Sequence, residues 1–250
     1  MRLLPWFTAA AVGVAALAIL TKSTPAAIPA SFPNVVLWAW ETKQDLRFIK
    51  PGTAGIAFLE RTVSLHPQRV RSFPRGQSFA YTPGTPLIAT VRMESTRGYG
   101  LPVAREAALA AAEAARVPGL SALQIDFDAR LSERIWYTEF LRELRKAVPK
   151  TLPISITALE SWCEDGHSWL ERVAVAEAVP MLFRMGLEEN RTPLSFPASV
   201  CNSSVGISTD EMPERIPNAA QRIYIFHPGP WTESAYESAM ERVRQWRHSW

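Results

Sequence analysis

The 250-residue chain carries 27 Lys+Arg against 24 Asp+Glu, a formal charge of only +3, and two cysteines. Without residues 1–22, which hold Arg2 and Lys22, the charge falls to +1. A nearly neutral domain gives no electrostatic reason to expect nucleic acid as a partner, two cysteines are too few for a structural zinc cluster, and the remaining length suits one large domain or two small ones.

The chain opens on Arg2 and an uncharged apolar run from Leu3 to Leu20, followed by Thr21, Lys22 and small, Pro-rich residues. A basic start, an apolar stretch and small residues after it are the parts of a signal peptide. The run also just reaches the length of a spanning helix. Residues 1–22 are therefore expected to be a signal peptide or an N-terminal hydrophobic anchor helix in contact with the membrane or export machinery. The protein is expected to be exported: periplasmic, extracellular or membrane-anchored. Residues 23–33 read as a linker, and residues 34–250 as a single domain.

From there, short apolar runs alternate with helical patterns. Strands are expected at 35–40, 54–59, 87–93, 123–127, 154–158, 178–185, 205–208 and 223–227. Helices are expected at 41–49, 104–116, 132–147, 162–173 and 232–246, the second rich in alanine and the third carrying Ile135, Phe140, Leu141 and Leu144 at helical spacing. The second, sixth and seventh strands lack a clear helix after them. Repeated strand–helix units imply a parallel sheet. Eight of them imply an α/β fold of the (β/α)₈ TIM type, small and partly degenerate. A doubly wound open sheet is the alternative, but no Gly-rich phosphate loop follows any strand.

Strands covered on both faces should read as unbroken apolar runs. The fourth does not: Gln124, Asp126 and Asp128 alternate with Leu123, Ile125 and Phe127. Thr90, Arg92 and Glu94 repeat the pattern on the third strand, and Ser155 and Thr157 on the fifth. In a barrel this shared polar face is the lumen, and charged groups at strand carboxyl ends lie where active sites of this fold lie. Two readings stand for Asp126 and Asp128: catalytic carboxylates, or acids locked in ion pairs with Arg92 and Arg184. At the same rim fall Trp40, Glu41, Trp162, Asp210, His227 and Trp231, which with Arg92 and Arg184 are the candidates for binding a substrate. Trp40, Trp162 and Trp231 could stack on sugar rings or serve as packing.

Several carboxylates converging on one cleft suit hydrolysis of a glycosidic bond, which needs a protonated acid and a second carboxylate. Asp128, nearer the rim, is the better candidate for the catalytic role, Asp126 one layer deeper could tune its pKa by like-charge coupling, and Glu94 is the candidate second carboxylate. No G-x-S-x-G elbow or H-E-x-x-H motif is present. No cofactor or metal is expected; the remaining metal alternative is Asp126, Asp128 and His227. The expected partner is a glycan or other small polar ligand, hydrolysed or, in a non-catalytic carbohydrate-binding barrel, only held. Cys163 and Cys201 could pair in an oxidising compartment, though spacing alone leaves the disulfide open.

The segment Asp126-Phe127-Asp128 resembles part of the D-x-D-x-E strand of chitinase-like barrels, with Arg130 where the final Glu would stand. More extensively, Leu37-Trp38-Ala39-Trp40-Glu41, Gln124 to Arg130, Ser155 to Leu159 with Trp162-Cys163, and Val179 to Gly186 together resemble a bacterial family, domain of unknown function 3142, over roughly residues 33–231. The resemblance implies an exported barrel akin to glycoside hydrolases. It also implies that Trp40, Glu41, Asp126, Asp128, Trp162 and Arg184 belong to the family pattern. It assigns no activity.

Overall fold

The computed structural model describes residues 25–164, 169–183 and 195–248. The strands are β1 (Val35–Ala39), β2 (Gln44–Leu46), β3 (Gly55–His66), β4 (Arg69–Pro74), β5 (Phe79–Tyr81), β6 (Leu87–Ser95), β7 (Leu120–Asp126), β8 (Ile154–Leu159), β9 (Glu177–Met181), β10 (Ser204–Ser208) and β11 (Arg222–Phe226). Among the described residues, β1, β3, β6, β7, β8, β9, β10 and β11 pair in that order, all parallel, and β1 pairs with both β3 and β11. The sheet therefore closes into an eight-stranded barrel rather than an open doubly wound sheet. Each barrel strand coincides with one of the eight runs expected from the sequence.

Period-2 alternation explains the layering. Outward side chains such as Leu37, Ile56, Val91, Leu123, Ile156 and Ile225 are inaccessible to solvent and belong to the large core between the barrel and its cover. Among the described residues that cover is thinner than a full ring of eight helices. It consists of α1 (Ala104–Ala112), α2 (Arg134–Ala147), α3 (Glu160–Glu164) and α4 (Glu233–His248). On α1 the buried residues are Ala104, Ala107, Ala108 and Ala111, whose small side chains let the helix lie close. On α2 they are Trp136, Tyr137, Phe140, Leu141 and Leu144. Ile135, placed on that stripe from spacing, is instead 76% exposed, because the buried face begins one residue later.

Two expected helices differ. Residues 41–49 form no helix: Leu46 and Ile49 have helical spacing, but Gln44 and Leu46 are buried around exposed Asp45, the period of a strand. This strand, β2, pairs with β5. The stretch 162–173 is represented by α3 and a separate 3-10 turn at Trp169–Arg172. The second barrel strand also runs on to His66 and turns at Pro67-Gln68 into antiparallel β4, a hairpin whose alternating pattern 62–66 had no counterpart among the expected elements. The hydrophobic segment 1–22 lies outside the described residues, among which no helix is long and apolar enough to cross a membrane.

The segment read as a linker does more than connect. Phe32 is 4% exposed and packs with Val36, Trp38, Ala57, Ile88, Ala122, Val179 and Tyr224 in a separate cluster that fills the lumen. Gly55 makes room for it, since a Cβ there would stand 2.5 Å from the Phe32 ring. A polar chain crosses the lumen beside this cluster. Gln124 Oε1 accepts from Trp38 Nε1 at 2.7 Å and from Thr90 Oγ1 at 3.3 Å, while Gln124 Nε2 donates to Ser155 Oγ at 3.3 Å. Ser155 and Tyr224 both donate to Glu177 Oε1, and Arg222 Nη1 donates to Glu177 Oε2 at 2.7 Å. Burial beside the Glu177 carboxylate pushes the Tyr224 phenol well above its ordinary range, so it remains a donor.

Cys163 and Cys201 are bonded, with Cα atoms 5.9 Å apart and a sequence separation of 38. The bond ties α3 to the turn before β10, and both cysteines are buried. Closing a loop of this length removes entropy from the unfolded chain. Replacing both cysteines with alanine is expected to lower stability by about 2–4 kcal/mol. Urea unfolding of the two proteins under non-reducing conditions measures it, and equal midpoints with equal slopes would refute it.

Candidate active site

The carboxyl ends of the barrel strands surround a pocket of about 420 Å³. Its lining includes Trp38 and Trp40 from the end of β1, Arg92 and Glu94 from β6, Asp126 and Asp128 from β7 and the residues after it, and Thr157 from β8. Met181, Phe183 and Phe226 complete the opposite wall. Strand parity explains most of this set. Arg92 and Asp126 are register partners on adjacent strands, and so share the lumen face.

The electrostatics turn on where Arg92 goes. Its Nη1 meets Glu41 Oε1 at 3.1 Å and its Nε meets Glu94 Oε1 at 3.5 Å, with the guanidinium 5.9 Å from the centre of the Trp40 ring. Among the described residues no ion pair closes on Asp126 or Asp128, so the Arg92–Asp pairing expected for a plugged barrel does not form. Arg184, the other proposed partner, lies outside the described residues. Burial, and next the Asp128 charge, raise Asp126 from 3.8 to about 6, against the opposing pull of the Thr157 hydrogen bond and Arg92. Asp128 is also raised by burial, with Arg92 opposing. Thr157 Oγ1 donates to Asp126 Oδ1 at 2.9 Å, which leaves Oδ2 as the oxygen to carry a proton.

Of the residues singled out from sequence, Asp126, Asp128, Glu94, Arg92 and Trp40 gather in this pocket, and Glu41 joins them through Arg92. The others lie elsewhere. Trp162 is 2% exposed in the outer core against Tyr137 and Trp169, because α3 turns it towards α2. Trp231 is also buried, its Nε1 donating to Trp38 O at 2.9 Å, so it seals the end of β1. His227 follows Phe226, and alternation sends it out of the lumen. There it meets Thr209 Oγ1 at 2.7 Å and lines a separate pocket with Asp210. Asp210 itself accepts from Ser208 Oγ. The Asp126/Asp128/His227 metal set is thereby dispersed, and among the described residues no three His, Cys, Asp or Glu side chains gather as metal ligands. Arg130, at the position of the chitinase-like Glu, is exposed at the start of a 3-10 turn and donates its N–H to Glu133.

Other residues of the site were not singled out from sequence. Trp38 shares the lumen face with Trp40 by parity, which could have identified it. Its ring packs on Tyr224 and Phe183. Phe183 and Phe226, stacked at 5.8 Å, read as ordinary core residues. Arg75 left no local signal: it reaches 36 residues back to donate to Ala39 O at 3.2 Å and also to the carbonyls of Trp40 and Thr42. It thus holds the loop that presents Trp40 and Glu41. Gly206 is required by the Trp38 indole, whose edge would stand 2.9 Å from a Cβ there. Gly206→Ala is expected to cost about 1–3 kcal/mol and to shift Trp38 fluorescence; a variant with unchanged stability and emission would refute the close approach.

No curated protein and no solved structure matches the chain. Residues 83–176, which carry β6 to β8 and with them Arg92, Glu94, Asp126 and Asp128, match the family model described as Domain of unknown function (DUF3142).

Proposed function

We propose that the pocket hydrolyses a glycosidic bond of an envelope or extracellular glycan. The observation that carries this reading is the Asp126–Asp128 pair, free of ion pairs among the described residues, at the carboxyl-end mouth of a closed parallel barrel. Asp126, raised to about 6, is suited to protonate the leaving oxygen, and Asp128 or Glu94 to act as nucleophile or base. This reverses the roles suggested by rim position alone, because the deeper acid carries the larger desolvation. The pocket volume is that of a small-ligand site, and Trp40, partly exposed at its edge, offers an aromatic face suited to a sugar ring. An exported setting is supported by the apolar run at residues 1–22 and by the Cys163–Cys201 bond, which persists in oxidising compartments.

The test is hydrolysis of a glycan panel by the parent protein, Asp126→Asn and Asp128→Asn. Turnover by the parent that both variants lose supports the reading. Glycan binding without turnover would replace it with a non-catalytic carbohydrate-binding barrel.

A further inference from the structure

The hairpin of β3 and β4 carries the pocket's face outward. Ala39, the last residue of β1, is level with Phe58, and Asp126, the last of β7, is level with Arg92. Residues 62–66 of β3, with β4 and the end of β6, therefore project past the barrel rim as a three-stranded wing. Register partners across β4, β3, β6 and β7 share a face. One row reads Phe73, Thr62, Arg92, Asp126; the next reads Arg71, Ser64, Glu94; the outermost is Arg69 beside His66. The opposite face is already occupied, since Val63 and Leu65 are buried and Val70 packs against the core. The pocket face thus continues into the open over three strand spacings, about 14 Å.

Its chemistry is graded. Phe73 is 51% exposed. Arg69 and Arg71 are exposed and, among the described residues, make no ion pair. Arg97 is exposed at the same tip, where a side chain on the next residue, Gly98, would touch Pro67 of the β3–β4 turn. Hydroxyls of Thr62 and Ser64 and the Glu94 carboxylate lie between these cations and the pocket. A ligand charged at every unit would meet Glu94 and Asp128 on its way in. One whose carboxylates are spaced by neutral, hydroxyl-bearing units would not.

We propose that this wing binds the continuing chain of an acidic polysaccharide. A uronate carboxylate pairs with Arg69 and Arg71, a sugar face lies on Phe73, and a neutral unit enters the pocket. The proposal rests on the glycan reading of the pocket and names the substrate class for it.

The test uses the full chain and sodium hyaluronate, in which uronate and neutral sugars alternate, with its methyl-esterified form as the uncharged control. Affinity is read by calorimetry at low and moderate salt. The Arg69→Gln/Arg71→Gln double variant is expected to bind hyaluronate about five- to tenfold more weakly, two exposed charge pairs being worth roughly that. Arg69→Lys/Arg71→Lys is expected to retain most of the affinity, and salt to weaken the parent. Unchanged binding by the Gln variant, or equal binding of the esterified polymer, would overturn the proposal. So would double-stranded DNA binding as tightly through the same arginines. Arg-dependent binding without turnover of any glycan would uphold the wing and remove the hydrolase. Turnover of neutral glycans with no affinity for hyaluronate would do the reverse.

Discussion

Asp126→Asn is expected to slow glycan hydrolysis about 10²–10⁴-fold, the usual contribution of a positioned acid, with the far-UV spectrum unchanged. The substitution is nearly isosteric, and the amide oxygen still accepts from Thr157, which donates to Asp126 at 2.9 Å. What it removes is the proton. The carboxyl, at about 6, is protonated below that pH and ionised above it. Activity that needs the acid therefore falls as pH climbs through about 6. Because Asp128 is raised as well and the two acids interact, the low-pH limb belongs to the pair. Stability supplies an independent check. An unfolded Asp titrates near about 3.9, so the fold disfavours the ionised form of Asp126. The parent then loses stability, relative to Asp126→Asn, as pH rises from about 4 to 7. Parallel stability profiles for the two proteins would remove the raised acid, and with it the assigned role.

Glu177→Ala is expected to destabilise the barrel by about 3–5 kcal/mol, measured by urea unfolding. Glu177 is 1% exposed and accepts from Ser155, Tyr224 and Arg222. Removing its carboxylate leaves a largely buried guanidinium unpaired and strips Tyr224 of its acceptor. Replacing both ion partners, as Glu177→Leu/Arg222→Met, is expected to cost much less, since two apolar side chains need no partners. If the single and double variants lose equal stability, the loss comes from packing and from the hydroxyls of Tyr224 and Ser155 left without their acceptor, rather than from the stranded charge. The network also reaches the site. Through Ser155 it meets Gln124, which holds the Trp38 indole at 2.7 Å. Glu177→Ala should therefore disturb the pocket wall as well as the lumen.

Much of the architecture is local enough to be legible. Each of the eight barrel strands is largely buried, so its position shows as a short apolar run, interrupted on β6, β7 and β8 by polar residues at every second place. Segments 41–49 and 60–74 were harder, because spacing of three and spacing of two both fit so few residues. For 41–49 the pairing of β2 with β5 decides, and for 60–66 the pairing with both β4 and β6. Among site residues, Asp126, Asp128, Arg92 and Glu94 were visible as polar interruptions of parallel strands. Glu177 and Arg222 are the same kind of interruption, but they stand at strand starts, where a short run merges with its loop.

The sequence by itself determined the parallel barrel, the face on which Asp126 and Asp128 sit, and the end of the strands at which they lie. Those are consequences of alternation along one strand. Only the tertiary structure decided what faces them. Arg92 turns to Glu41 and Glu94, and among the described residues no ion pair closes on the two aspartates. His227 points away from them, and Trp162 and Trp231 are used in packing. An ion pair or a pocket wall depends on which strand lies alongside and where a loop returns. Glu41 and Arg92, for example, are 51 residues apart in the chain, and no periodicity within either segment records their meeting.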